Sequence, residues 1–199
     1  ESYQSLAEYY LNKKDYANAI KNFKTAIEYS NNSEFKAQMQ FLVASVTNKL
    51  DPKKAVTEFD KVLDYNASFD LEYLAKSNTA KSMIVSGDLK NANEIIENLQ
   101  VKYKDVPANL SQVNYLQALY YDEKKDNKSS LNQYYSVIKD FPGTIPSSDA
   151  SFKIGKFYES KNDYLNALKY FRFSTEQSNA GNYYSEAFQK STTFKRYFE

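Results

Sequence analysis

The sequence predicts an all-α fold: an α-solenoid of about five antiparallel helix pairs, closed by one C-terminal capping helix. Three observations predict it. First, a segment near the start recurs near the end. Leu6-Ala7-x-x-Tyr10, then Asp15-Tyr16-x-x-Ala19-Ile20-x-x-Phe23, matches Ile154-Gly155-x-x-Tyr158, then Asp163-Tyr164-x-x-Ala167-Leu168-x-x-Phe171, position for position and 148 residues on. Second, three weaker copies lie between them, aligned on Ala19, Ala55, Ala92, Ser130 and Ala167 at spacings of 36, 37, 38 and 37. Third, four Gly and four Pro in 199 residues are too few for a loop-rich or disordered chain.

A second row of small or slender residues, Ala7, Val43, Ala80, Ala118 and Gly155, lies 12 residues before the first row in every copy. Small residues let two helices approach closely, so the register within a pair is held while the junctions between pairs vary. The helical stripes agree with this frame. Tyr3, Leu6, Ala7 and Tyr10 are followed by Ala19, Phe23, Ala26 and Ile27 in the first copy. Leu42 and Val46 lead to Ala55, Phe59, Val62 and Leu63 in the second, and Ala80, Met83 and Ile84 to Ala92, Ile95, Ile96 and Leu99 in the third. The fourth has Leu116, Leu119 and Tyr120, then Leu131, Tyr134, Val137 and Ile138. The repeats are expected at about 1–33, 34–68, 69–106, 107–144 and 145–181, in one domain over 1–199. Asp51-Pro52, Ser86-Gly87-Asp88 and Phe141-Pro142-Gly143 supply caps and stops, and Ser147-Ser148-Asp149 supplies caps for the helix after them. Residues 182–199, with Tyr184, Ala187, Phe188, Phe194 and Tyr197 mainly on one face, are expected to cover the last apolar surface. The alternative is the first helix of a further repeat.

Composition narrows the function. The chain has no His and no Cys, which removes the imidazole base, thiol chemistry and the common metal ligands. Its Gly residues stand alone at 87, 143, 155 and 181, so no Gly-rich phosphate loop exists. Acid pairs such as Asp122 with Glu123 or Glu94 with Glu97 read as solvated surface charge. We therefore expect no catalytic residues, no metal and no cofactor. Net charge is +1, and Lys outnumbers Arg 24 to 2, which disfavours nucleic acid as a partner. No apolar run has the roughly 18–20 residues of a membrane span. The chain opens on Glu1 rather than Met. The expectation is that an N-terminal segment, a signal peptide or lipid anchor among the options, has been removed.

At these residues the chain resembles the tetratricopeptide repeat family, whose period is about 34 residues. Copies 2–31 and 150–179 carry its pattern almost completely; Ser130, Thr79 and Gln117 depart from it. The resemblance implies a scaffold that binds protein. The run Tyr134 to Thr144 with its Phe141-Pro142-Gly143 junction, then Ala150-x-Phe152-x-Ile154-Gly155, is similar to bacterial envelope members of the family. These include the lipoprotein of the outer-membrane β-barrel assembly machine and the Tol-Pal coordinator, which implies a periplasmic or membrane-associated location. The Lys/Asn/Arg clamp of the cytosolic co-chaperone branch is missing, since Gln4, Ser5, Glu8, Asn12, Gln40, Phe41 and Ala44 stand there.

The first helices of such pairs line a concave groove. Helical phase places Gln4, Glu8, Gln40, Lys81, Tyr115, Leu119, Asp122, Phe152, Lys156 and Glu159 on it. Tyr115, Leu119 and Phe152 are expected to form an apolar patch flanked by Lys81 and Lys156, suited to a peptide with apolar anchors and an acidic flank. Phase alone leaves open that Leu119 and Phe152 pack against the neighbouring repeat. The favoured reading is a non-enzymatic scaffold or adaptor for a protein or peptide. Self-association into a homo-oligomer, and remotely a cell-wall glycan enzyme, are the alternatives.

Overall fold

The computed structural model describes residues 2–198, and among them it is all-α. Five helix pairs follow one another: α1 (Ser2–Asn12) with α2 (Tyr16–Tyr29), α3 (Ser33–Leu50) with α4 (Pro52–Asp60), and α5 (Phe69–Ser86) with α6 (Leu89–Lys102). Then come α7 (Pro107–Glu123) with α8 (Asn127–Asp140) and α9 (Ile145–Ser160) with α10 (Tyr164–Gln177). A last helix, α11 (Tyr184–Phe198), follows, and α4 runs on into a 3₁₀ turn, Lys61–Asp64. The chain divides into two compact units, 1–99 and 100–199. No helix among the described residues is long and apolar enough to cross a membrane.

The turn inside each pair is built from a few bonds that recur. In the first, the Lys14 and Asp15 amides donate to the Leu11 and Tyr10 carbonyls at 2.9 Å each, and Lys14 is left-handed at φ 60°. This is the Schellman arrangement, which satisfies the last carbonyls of the first helix. Asp15 then caps the second helix, accepting from the Asn18 amide at 3.2 Å and the Asn18 side chain at 2.7 Å. The same device recurs at Lys125-Asp126 and Asn162-Asp163, with φ 62° and 59°, and at Gly87-Asp88. The second pair does without it: Asp51 both ends α3 and caps α4, with Pro52 at the first helical position. Three of the four left-handed positions therefore carry a Cβ that this backbone disfavours by about 1–2 kcal/mol. Lys14→Gly, Lys125→Gly and Asn162→Gly are each expected to stabilise the fold by about 1 kcal/mol, read as a raised chemical-denaturation midpoint.

All ten residues of the two small-residue rows are buried. Their tightest point is Gly155, where an added Cβ would lie 2.7 Å from the Phe171 ring of α10. Ser130 replaces the expected Ala because its hydroxyl donates to Asp122 across the pair, at 2.5 Å. In unit 1, Ala7, Ala19, Phe23, Ala26, Ile27, Met39, Val43 and Val46 form one core cluster. In unit 2 the clusters centre on Tyr134, Val137 and Ile154, and on Phe152, Phe171 and Ala187.

Three expectations change at the helix ends. Ser147, Ser148 and Asp149 do not cap α9. Thr144 does, accepting from the Ser147 amide at 3.2 Å, and the three residues are buried within the helix. Tyr3 and Leu6 are exposed, because among the described residues α1 packs chiefly on α2 alone. On α11, Ala187 is buried and Phe194 half-buried against Phe171 at 6.0 Å, but Phe188 and Tyr197 face outward.

Candidate functional site

In unit 1 the expected groove residues separate. Gln4 and Glu8 sit one turn apart on the open side of α1, the Gln4 side-chain amide donating to Glu8 at 2.9 Å. Lys81 is exposed on α5. Leu74 and Val85 are exposed on the same helix, although both are apolar and phase arguments passed over them. Gln40 is not a surface group. It is buried, and its Nε2 donates to the Glu58 carbonyl at 2.9 Å and the Glu58 carboxylate at 2.8 Å, tying α3 to α4. Glu58 also takes Lys24 at 3.2 Å and Lys61 at 3.1 Å. Burial pushes its carboxyl up, but the bonds from Gln40, Lys61 and Lys24 outweigh that and hold it below the usual range.

In unit 2 two of the three expected apolar anchors belong to the core. Phe152 is 4% exposed, stacked on Tyr183 at 4.5 Å and tilted against Phe171 at 5.6 Å. Tyr115 is also 4% exposed, its ring 5.9 Å from that of Tyr134. Burial, then the neighbouring Tyr183 and Asp149, push its phenol well up, so it stays neutral. The predicted apolar patch thus reduces to Leu119, itself half-buried against the Tyr134–Ile154 cluster. Phase put Tyr115 and Phe152 in the groove, but the seam between helices of adjacent pairs closes over them.

The charged candidates stay outside and meet one another. Asp122 accepts from Tyr134 at 2.7 Å and lies 3.8 Å from Lys153 on the next first helix. Lys156 is 2.9 Å from Glu159, which also takes Lys190 of α11 at 2.7 Å. Burial raises the Glu159 carboxyl, but hydrogen bonds from Lys190 and Lys156 prevail and lower it; Glu159 in return raises Lys156. Helices α7, α9 and α11 therefore share a strip of mixed charge: Asp122, Lys153, Lys156, Glu159 and Lys190. Lys190 escaped the sequence reading. The signal for it was Ala187, buried like the small residue of every first helix. Among the described residues no three His, Cys, Asp or Glu gather where they could hold a metal ion.

Residues 1–33 match the tetratricopeptide repeat model. That stretch contains the whole of the first helix pair. No curated protein matches the chain in sequence. Among solved structures, a double mutant of MamA RS-1 is similar with a TM-score of 0.61 and 19% identity, over 88% of this chain and 92% of that one. A MamA fragment, 41 to the end, from Desulfovibrio magneticus RS-1 gives 0.58 and 20%, over 90% and 95%. Another MamA crystal structure gives 0.57 and 19%, over 86% and 94%. At such identity the likeness is one of fold, and the fold is that of helix-pair α-solenoids.

Proposed function

We propose that the chain is a non-catalytic scaffold that binds a protein or peptide along the face made by its first helices. The observation that carries this is the strip shared by α7, α9 and α11. Two of its ion pairs bridge helices, at 3.8 Å for Asp122–Lys153 and 2.7 Å for Lys190–Glu159. Such partly exposed pairs contribute only about 1 kcal/mol to folding, so exchanging them for a ligand's charges costs the fold little. Leu119 beside them supplies an apolar contact; on unit 1, Gln4, Glu8 and Lys81 are proposed as contacts of their own. The helix-pair fold supports the reading, since tetratricopeptide solenoids present such faces to protein ligands. The setting we propose is a bacterial envelope assembly, supported by the resemblance around Phe141-Pro142-Gly143.

The test is affinity capture from the cell of origin with the parent chain and with Lys156→Glu/Lys190→Glu as baits. The variant is expected to keep its helical circular dichroism, because neither lysine is buried in the core, and to hold the partner at least about tenfold less. Equal capture by both baits, or capture of nothing but further copies of the chain, would remove this face from the function.

A further inference from the structure

A different site lies at the N-terminal end of unit 1, where the start of α1, the end of α2 and the start of α3 enclose an open cleft of about 420 Å³. Small-molecule sites run from about 300 to 1,000 Å³. The cleft is lined by Tyr3, Tyr29, Ser30, Asn31, Asn32 and Phe35, with Ala26 beneath, and none of these carries a charge. The Tyr3 and Tyr29 rings are near-parallel at 13°, with centroids 5.6 Å apart. They are nevertheless kept in water: Tyr29 is 76% exposed and Tyr3 40%.

The polar groups divide into two sets. One set holds the loop: Ser30 Oγ accepts from the Asn32 amide at 3.1 Å, and Asn32 Oδ1 accepts from the Phe35 amide at 3.0 Å. The other set is unspent. Among the described residues neither tyrosine hydroxyl nor the Asn31 side-chain amide has a hydrogen-bond partner. The cleft therefore offers flat aromatic surface together with amide and phenol groups that make no hydrogen bond within the protein, with its loop held by the first set.

The ligand that complements this has a flat apolar face edged by neutral hydrogen-bonding groups. A pyranose ring is built that way: axial C–H bonds make the apolar face and equatorial hydroxyls form the edge. A nucleotide or a phosphopeptide would need a cation in the lining, and among the described residues there is none. We propose that the cleft binds a neutral oligosaccharide, one sugar face lying on the Tyr29 ring and its adjacent hydroxyls meeting the Asn31 amide. The site is separate from the first-helix charge strip and stands or falls independently of it.

The test is a titration of the ¹⁵N-labelled full chain with cellotriose and, separately, triacetylchitotriose, followed by amide chemical shifts. The expected result is saturable shifts confined to Tyr3 and residues 29–35 for at least one sugar, with a Kd of about 1 mM or tighter. Tyr29→Ala, at a side chain exposed enough to spare the fold, is expected to weaken binding at least about tenfold, and Tyr29→Phe to keep it within about threefold. Asn31→Ala should weaken it as well. Absence of saturable shifts with both sugars overturns the proposal, as do shifts centred elsewhere. So do shifts of the same residues with protein concentration alone, which would assign the cleft to a second copy.

Discussion

Phe152→Asp is expected to unfold unit 2, not to leave a folded chain that has lost its partner. The ring is wrapped by Tyr183 at 4.5 Å and Phe171 at 5.6 Å, in a cluster with Ala167 and Ala187. Truncating such a ring costs about 3–5 kcal/mol from lost burial and the cavity left behind. An acid in its place adds the desolvation of a carboxyl among the Tyr183 and Phe171 rings, about 2 kcal/mol more. The sum rivals the roughly 5–15 kcal/mol that holds a whole domain together. Helical circular dichroism and a urea melt of Phe152→Asp beside Lys156→Glu check it. The first should lose structure and midpoint, and the second should match the parent within about 0.5 kcal/mol. Retained helicity and an unchanged midpoint for Phe152→Asp would return that residue to the surface.

The contrast between these two neighbours shows what was legible in the sequence. Ala7, Ala19, Ala118, Gly155 and their counterparts announced every helix pair, because close helix packing tolerates only small side chains and leaves a periodic trace. The turns were legible in part. Asp15, Asp88 and Asp163 are each followed three residues on by Asn, a pattern that marks the cap and its side-chain bond. The left-handed Lys14 and Lys125 left no such mark, since lysine is an ordinary surface residue. The face was harder. Helical phase assigns a direction to within roughly a quarter of a turn, and that sector contains both open surface and the seam between neighbouring pairs. Charge resolves the ambiguity and hydrophobicity does not. Lys156 and Glu159 were bound to lie outside, while Tyr115, Phe152 and Gln40 could sit on either side until their neighbours were known. Gln40 went inward because the Glu58 carbonyl and carboxylate there satisfy its amide. Tyr29 and Asn31 never entered the sequence argument, for they sit at the junction between the first two pairs, beyond the helical stripes.

Asp149→Ala is expected to free α11 while α9 and α10 stay folded together. Asp149 is buried within α9, yet its carboxyl accepts from the Asn182 backbone amide at 2.8 Å and from the Asn182 side-chain amide. Asn182 stands two residues before α11 begins, so this pair of bonds fixes where the last helix starts. The other ties are Tyr183 stacked on Phe152 at 4.5 Å, buried Ala187 and Ser191, Phe194 against Tyr164 and Phe171, and the partly exposed Lys190–Glu159 ion pair. Losing the two bonds costs about 1–1.5 kcal/mol each, and the carboxyl's seat left without its partner adds about 1. Alanine's better helix propensity returns about 0.5 kcal/mol to α9. The net loss of about 2–3 kcal/mol falls on the docking of α11, because α9 and α10 are joined through Phe171 against Gly155 and through reciprocal Ser148–Ser174 bonds at 2.8 Å. Native-state hydrogen exchange separates the possibilities. The amides of α11 should exchange at least about tenfold faster in the variant, while those of α9 and α10 keep their protection. Protection lost equally in all three helices would mean that Asp149 supports the whole of unit 2. Protection unchanged in α11 would mean that Ala187 and Phe194 alone hold it. In the expected case Lys190 leaves Glu159 together with α11, so the charge strip loses its last member and capture of the proposed partner should fall with it.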